Sequence, residues 1–344
     1  MFGLIVIALS FLIAIFAYLI APDNSSNADL QTVEIQAKKP GYTQQFLKIP
    51  EAKHWDGFWI EHLISGKKLH YQLIPISGFQ IRHDSLLINK YIDQDTSVLQ
   101  YYSINQLTHN HPELISQNII TKKYWLGTDK FGRDILSRLI IGSRVSLAVG
   151  LIAVIISLLL GISLGAIAGY YRGRVDEIIM WLVNVTWSIP TLLLVFAITM
   201  ALGKGFWQIF IAVGLTMWVS VARLIRGQVL AIKELEYVQA AKALGLSDGR
   251  IILRHILPNI LGPVMVIAAS NFATAIIIEA GLSFLGIGIQ PPQPSWGLMI
   301  KENYNFIITH NPMLALVPGF AIMLLVLAFN LLGNGLRDAV DVKN

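Results

Sequence analysis

The sequence of 344 residues contains no cysteine, and only 14% of its residues are charged. Without cysteine, disulfides, thiolate metal sites and lipid attachment at a cysteine are excluded, and the redox compartment is left undetermined. A soluble protein carries about 25% charged residues. The scarcity of charge, together with a hydrophobic fraction of 54%, predicts an integral membrane protein.

Sequence patterns typical of enzymes are also missing. There is no G-x-x-x-x-G-K-[ST] phosphate loop, so the chain is not expected to bind or hydrolyse ATP itself. No metal-ligand spacing and no nucleophile elbow occur. His54, His62 and His70 recur every eight residues, but no acidic cluster joins them and we expect no metal site. We therefore expect no catalytic residues and no cofactor. The basic residues are split among loops, so we expect no binding to nucleic acid.

Six apolar stretches are candidates for crossing a bilayer, which takes about 17–25 residues each. They are residues 3–21, 145–170, 177–202, 206–222, 260–289 and 313–333. The first resembles a signal peptide, but no basic residue precedes it and "AYLIAPD" is a poor cleavage site. We therefore expect a retained helix and an all-α membrane protein with six transmembrane helices.

Lys and Arg in the short loops predict the orientation of these helices. Ten of them fall in 171–176, 223–259 and the C-terminal tail, whereas the opposite short loops hold only Lys204 and Lys301. The side with ten is predicted to be cytoplasmic. Because the number of spans is even, both termini are predicted to lie there too.

The connection at 22–125 is predicted to be a small mixed insertion on the exterior side, with ten acidic and ten basic residues. Short apolar runs bounded by Gly, Pro and Asp within 68–92 predict a few strands. The chain is thus divided into a first helix at 1–21, the insertion at 22–125 and a five-helix core at 126–344. Aromatic residues are expected to form a modest core in the insertion: Trp55, Phe58, Trp59, Tyr101 and Tyr102.

Three features of the membrane segments each leave two interpretations. Gly161, Gly165 and Gly169 form a small-residue face that either packs within the chain or contacts a partner subunit. Pro190 is expected to kink the third span, as a hinge or as a static bend. Glu279 is a carboxylate within the membrane, which is either a gate or pathway residue or a hydrogen-bonded packing group.

The segment before the second span and the connection before the last span carry further expectations. Asp134 and Arg138 are spaced to pair across one helical turn. Asp129 is expected to form a charge-paired turn with Lys130 and Arg133. Trp296, after the proline-rich "QPPQPS", is expected to anchor at the membrane interface.

The cytoplasmic loop 223–259 contains two short, well-punctuated helices. Residues 234–244 favour a helix, which Gly245 ends by adopting a positive φ. Ser247 or Asp248 is expected to cap the next helix, and Leu257-Pro258 to end it. Small residues allow a helix to seat closely in a groove, so Ala240 and Ala241 are expected to be exposed for a partner.

This loop resembles the cytoplasmic signature of ABC importer permeases: Glu-Ala-Ala, Gly four positions on, and Leu-Pro twelve beyond. Here it reads Gln239-Ala240-Ala241, Gly245 and Leu257-Pro258, with Gln239 replacing the usual glutamate and His255 replacing isoleucine. Three further blocks resemble the second, C-type permease of the dipeptide/oligopeptide branch. They are "LGTDKFGRDILSRLIIGSRVSL" (126–147), "EAGLSFLGIGIQPPQPSWGLM" (279–299) and "NLLGNGLRDAVD" (330–341), where the branch usually has Asp at the position of Asn334.

The resemblance implies a multi-pass subunit of the cell inner membrane that moves peptides with energy from separate subunits. The implied partners are a second homologous permease, two ABC ATPases and an extracytoplasmic solute-binding protein. The residues implied in ATPase coupling are Gln239, Ala240, Ala241, Lys242, Gly245, Leu257 and Pro258. Two other functions remain open from the residues themselves: an ion-coupled secondary transporter, or an envelope assembly protein that works through its exterior insertion.

Overall fold

The computed structural model describes residues 1–51, 59–108, 112–203, 205–308 and 311–341. The chain forms two compact units. The first, which we call the helical unit, contains Met1–Phe11, Val145–Gln290 and Phe320–Asn344; the second, the sheet unit, contains Leu12–Arg144 and Pro291–Gly319. His54, Trp55, Phe58 and Lys204, to which the sequence drew attention, lie outside the described residues.

The elements follow each other along the chain as helices, then strands, then helices again. The first are α1 (Phe2–Ile15), α2 (Ala17–Ile20), β1 (Tyr42–Pro50), α3 (Trp59–Ser65), β2 (Tyr71–Arg82), β3 (Ser85–Tyr91), β4 (Ser97–Ser103), α4 (Ile104–Thr108) and β5 (Ile119–Tyr124). The rest are α5 (Ile135–Tyr171), α6 (Gly173–Ser188), α7 (Thr191–Leu202), α8 (Phe206–Ile232), α9 (Glu236–Ala243), α10 (Asp248–Ile251), α11 (Leu261–Leu285), α12 (Trp296–Asn303) and α13 (Met313–Asp341).

The predicted strands form one antiparallel sheet in the order β4-β3-β2-β1-β5. Its main core is aliphatic, built around Leu86 and Ile88. Tyr101 pairs with Leu87, and successive residues of a strand point to opposite faces. Tyr101 therefore lies on the far face and is 70% exposed. The aromatic core expected there is wrong for Tyr101, although Tyr102 packs partly against the aliphatic cluster.

Four helices among the described residues are long and apolar enough to cross a membrane. They are Ile135–Tyr171, Phe206–Ile232, Asp248–Leu285 and Met313–Ala339. A fifth span is reached if α6 and α7 count as one broken span; they are bent by 96° across a short break that contains Pro190. The kink expected at Pro190 is confirmed. The expected helix of 3–21 is interrupted between α1 and α2, so six full-length spans remain a prediction.

The glycine face of α5 packs on α8 inside the helical unit. A Cβ at Gly161 would lie 2.4 Å from the Cβ of Val221, and one at Gly165 would lie 2.5 Å from the carbonyl oxygen of Ala222. Any side chain at these positions would clash with α8. Of the two interpretations of this face, packing within the chain is the one observed.

Charged residues before α5 form a buried network in the sheet unit. Arg133 donates to Asp129 Oδ2 at 2.7 Å, to Asp29 Oδ1 at 3.0 Å and to Glu302 Oε2 at 2.7 Å. Burial lowers the pKa of Arg133, but the carboxylates, Asp129 first, outweigh it and hold that pKa above its ordinary value. The expected pairing of Asp129 with Arg133 is confirmed.

Two neighbouring expectations are wrong. Asp134 does not pair with Arg138. Its carboxylate accepts hydrogen bonds from the backbone N–H and the hydroxyl of Ser137, and Asp134 thereby caps the first turn of α5. Arg138 instead points to Glu302, at 3.4 Å. Trp296 is not an interface anchor: it is 5% exposed, and its indole N–H donates to the carbonyl of Leu139 at 2.9 Å.

Candidate functional site

The two-turn helix α9 ends where the sequence predicted. Gly245 has a φ of +78°. The N–H of Leu246 donates to the carbonyl of Ala241 at 3.3 Å, and that of Gly245 donates to Lys242 at 3.0 Å. This pair of bonds is a Schellman motif, in which the left-handed residue turns the chain sharply away from the helix. The motif fixes the direction in which the chain leaves α9.

One face of α9 is built into the helical unit and the other is exposed. Val238 and Ala241 are 2% and 5% exposed and belong to a core cluster that includes Val229 of α8. Gln239 and Ala240 are exposed. The expectation that both alanines are exposed is therefore wrong for Ala241, because Val238 and Ala241 are three residues apart and share the buried face.

The segment after α9 is tied to the end of α5. The hydroxyl of Tyr170 donates to Asp248 Oδ1 at 2.7 Å. Ser247 occupies the cap position of α10, but its side chain makes no capping bond. The side chain that secures this turn is thus Asp248, and its partner is an aromatic residue 78 positions earlier in the chain.

Pro258 does not end the helix that begins at Asp248. Helical structure runs from Asp248 to Leu285, through a π-helical turn at Ile252–Ile256 and a 3-10 turn at Leu257–Ile260. Pro258 lies in the first positions of the 3-10 turn, where its missing N–H is not needed. The stop predicted at Leu257-Pro258 is wrong, because a change of helical geometry accommodates the proline.

The basic residue at the end of α8 serves the loop internally. The ammonium of Lys233 donates to the carbonyl of Tyr170 at 2.5 Å, and the amide of Gln239 donates to the carbonyl of Lys233 at 3.0 Å. Burial lowers the pKa of Lys233, helped by the positive charges of Arg172 and Lys242. Gln239, which replaces the glutamate of the resembling pattern, thus holds α9 against the end of α8.

Glu279 lies apart from this loop, fully buried in α11. The hydroxyl of Ser283 donates to its Oε1 at 2.7 Å, and the same hydroxyl accepts the backbone N–H of Ile289 at 3.0 Å. The carboxylate therefore takes part in holding the chain that follows α11. Glu279 and Ser283 lie one helical turn apart, and this spacing is the sequence signal for the bond.

The sequence did not indicate a cavity at the break between α6 and α7, whose mainly apolar walls carry several polar groups. The cavity has a volume of about 280 Å³ and lies within the helical unit, with walls from α8 and α11. A weak signal for it is "NVTWSIPT", where polar residues surround Pro190. Its polar lining residues are Thr186, Thr191, Thr216, Ser220, Asn271 and Thr274.

Comparison with known families gives a match that covers just over half of the chain. The family described as "Binding-protein-dependent transport system inner membrane component" matches residues 161–343. That range contains α9, the loop around it and the cavity at the break between α6 and α7.

Curated relatives are similar over about two thirds of the chain. The glutathione transport system permease protein GsiD of Pectobacterium atrosepticum is 43% identical over 220 residues, covering 64% of this chain and 73% of that protein. The dipeptide transport system permease protein DppC of Alkalihalophilus pseudofirmus is 45% identical over 221 residues, 64% of this chain and 72% of that one. The oligopeptide transport system permease protein OppC of Bacillus subtilis is 40% identical over 223 residues, covering 65% of this chain and 73% of that protein.

Among solved structures, a chain of the MetNI methionine ABC transporter in an inward-facing conformation is similar, with a TM-score of 0.50 and 18% identity. The match covers 60% of this chain and 97% of that one. At this level of identity the likeness concerns the fold.

Proposed function

The chain belongs to the family of inner membrane components of binding-protein-dependent transport systems, and from this premise we propose that it is the permease subunit of an ATP-driven importer of peptides. The cargo class is supported by the relatives, whose names assign them to glutathione, dipeptide and oligopeptide transport. Uptake against a gradient needs a source of free energy, and the sequence has no phosphate loop with which to bind ATP itself. The energy then comes from separate ATPases.

The proposed assembly contains a second, homologous permease, two ABC ATPase subunits and a solute-binding protein outside the membrane. The distribution of Lys and Arg supports a cytoplasmic location for both termini and for 223–259. In this arrangement 1–21 and 126–344 supply six spans, and the sheet within 22–125 lies on the side from which the binding protein delivers cargo.

The observation that carries the proposal is the division of α9 into two faces. Val238 and Ala241 are buried against α8 and its neighbours, whereas Ala240 and Lys242 are exposed. A partner that binds the exposed face can therefore move α9 without separating it from the membrane helices. A small side chain at Ala240 allows close seating of the helix in a groove.

We place the coupling residues in two groups. Gln239, Ala240 and Lys242 are proposed to contact the ATPase. Ala241, Gly245 and the Leu257-Pro258 pair are proposed to act indirectly, by fixing α9 and by connecting it to α11. When two ATPases close on ATP, the docked helices approach each other, and the spans change between outward- and inward-open arrangements, as alternating access requires.

Substitution at the exposed alanine tests this proposal. Ala240→Arg adds a long, charged side chain to the docking face, and we expect the chain to insert normally but to lose ATPase copurification and ATP-dependent uptake. Ala339→Arg is the matched control, because Ala339 is also exposed, and it should retain both. Ala241→Arg is unsuitable, since it would place a charge in a core.

Three other results would contradict this proposal, and two of them would support a rival function. Wild-type uptake that needs no ATPase would support an ion-coupled transporter. Normal ATPase association by the Ala240→Arg subunit would contradict the docking surface. A complex that assembles but moves no solute, with a phenotype confined to changes in 22–125, would support an envelope assembly role.

Glu279 is proposed as a gate residue that acts through the chain after α11, since its buried carboxylate accepts the Ser283 hydroxyl, which in turn accepts the N–H of Ile289. Glu279→Gln keeps the size and the acceptor while removing the charge. We expect lower uptake with unchanged ATPase association. Unchanged uptake would show instead that Glu279 is a packing group.

A further inference from the structure

The cavity between α6 and α7 is shaped by a broken helix. Helix α6 ends at Ser188, α7 begins at Thr191, and the two are bent by 96°. Thr186 and Trp187 line the cavity from one side of the break, and Thr191 lines it from the other. The break therefore brings the start of a twelve-residue helix to the wall of this cavity.

The start of α7 carries backbone donors that the helix does not use. The first intrahelical bond there runs from the N–H of Leu194 to the carbonyl of Pro190, at 3.0 Å. The N–H groups of Thr191, Leu192 and Leu193 precede it, and no side chain caps this terminus. Such a terminus carries a partial positive charge and favours an anionic group.

Asn271 provides an independent observation on the opposite wall. It is 6% exposed, it lines the cavity from α11, and its amide Nδ2 makes no hydrogen bond within the described residues. A buried donor without an acceptor is unfavourable. An acceptor placed in the cavity would satisfy it.

The remaining polar groups leave these donors available to a ligand. The hydroxyls of Thr216, Ser220 and Thr274 donate to carbonyl oxygens of their own helices, at 2.9, 3.0 and 3.0 Å. No acidic residue lines the cavity among the described residues. A positive charge lies against one of its lining residues: the guanidinium carbon of Arg223 lies 3.6 Å from the ring centroid of Trp187. The electrostatics thus favour an anion.

We propose that this cavity binds a carboxylate group of the transported solute, held by the Asn271 amide and by the free N–H groups at the start of α7. The proposal rests on the peptide-importer function, since it assigns the carboxylate to the cargo. A carboxylate has two acceptor oxygens, which can meet donors on two walls at once.

The test uses the whole complex, with both permeases and both ATPases, in lipid nanodiscs. Binding is titrated by saturation-transfer NMR with dialanine, with dialanine amide, and with aspartyl-alanine amide, whose carboxylate is on the side chain. We expect dialanine to bind at least about tenfold more tightly than its amide, since a hydrogen bond to a charged group is stronger than one between neutral groups. Binding of aspartyl-alanine amide as tight as that of dialanine would assign the site to any carboxylate; weak binding would assign it to the C-terminus.

Asn271→Asp replaces the donor by a carboxylate of nearly the same size. It should reduce the affinity for dialanine by about tenfold or more and leave the affinity for the amide unchanged. Asn334→Asp makes the same chemical change at an exposed position of α13 and should leave both unchanged. Equal affinities for acid and amide in the wild type, or full affinity of the Asn271→Asp complex for dialanine, would overturn the proposal.

A second pair of variants addresses the helix terminus and does not depend on Asn271. Thr191→Pro removes one backbone N–H at the first helical position, where proline is tolerated. Thr191→Val removes the hydroxyl but keeps the N–H. We expect weaker dialanine binding for Thr191→Pro than for Thr191→Val, and equal binding would exclude the terminus from the site. ATP-driven uptake is measured in parallel. If the wild-type complex shows no uptake, the proposed importer function is wrong. If the wild-type complex shows uptake but the variants bind dialanine as the wild type does, only the carboxylate site is wrong.

Discussion

Pro190 and Pro258 each follow an aliphatic residue in a helical stretch but have opposite effects on the chain. At Pro190 the preceding Ile189 adopts an extended conformation (φ −93°, ψ 129°), and the helix breaks. At Pro258 the preceding Leu257 stays helical (φ −57°, ψ −39°), and the helix continues from Asp248 to Leu285. The comparison shows that proline sets a local constraint, while the neighbouring packing decides whether the helix yields by bending or by changing its turn.

The surroundings of the two prolines explain the difference. Around Pro258, Ile256 and Ile260 are fully buried in the cluster that also holds Val238 and Ala241, so bending there would expose a core. Pro190 itself is exposed, and the chain on both sides of it lines a cavity, where free backbone groups can be satisfied by a ligand or water. We therefore regard the first region as a rigid connection and the second as a binding region.

The largest expected effect comes from exchanging the two prolines for alanine. Pro190→Ala removes the cause of the break, so α6 and α7 can join and fill the cavity; we expect ATP-driven uptake to fall to background. Pro258→Ala acts on a helix that is already continuous and should cause a smaller loss. Uptake by reconstituted complexes measures both.

A direct readout of the break accompanies this experiment. Because the chain has no cysteine, cysteines introduced at Leu182 and Met200 can be spin-labelled selectively. Both positions are exposed, one on α6 and the other on α7. A straight helix would separate these positions by about 27 Å, at 1.5 Å per residue, and a bend of 96° brings them closer. A longer label distance in Pro190→Ala is expected. An unchanged distance would show that proline is not what breaks the helix.

An intermediate effect is expected from glycines that differ in their surroundings. Gly161→Ala introduces a Cβ at 2.4 Å from that of Val221 and should destabilise the helical unit by about 1–3 kcal/mol. Gly227→Ala has no atom within 4 Å of the new Cβ and should be neutral or stabilising by up to about 1 kcal/mol. Thermal unfolding of both in detergent compares them. Equal unfolding temperatures would contradict the tight packing of α5 on α8.

The smallest effect is expected at Gln239. Gln239→Glu restores the residue of the resembling pattern but loses the donor to the carbonyl of Lys233. A carboxylate there can instead interact with the Lys233 ammonium, so the two changes offset each other. We expect uptake within about twofold of wild type, because an exposed pair contributes at most about 1 kcal/mol. A complete loss would mean that Gln239 contacts the ATPase in a way that glutamate cannot replace.

The sequence predicted the family, the strands of the insertion, the kink at Pro190 and the turn at Gly245, because each depends on a local rule or on spacing. It did not predict the burial of Ala241, since a helix of two turns offers little periodicity from which to find its buried face. It also missed the continuity at Pro258 and the burial of Trp296. Both depend on residues distant in the chain, such as Leu139, whose carbonyl accepts the indole N–H of Trp296.

The central claim is that the exposed face of α9 docks on an ATPase subunit. A single cysteine introduced by Ala240→Cys, carrying a photoreactive maleimide, tests it in the assembled complex, and Tyr101→Cys on the exposed face of the sheet is the comparison. The account predicts a crosslinked product with the ATPase from position 240 and none from position 101. Absence of that product at 240, in a complex that still hydrolyses ATP and imports peptide, would contradict it.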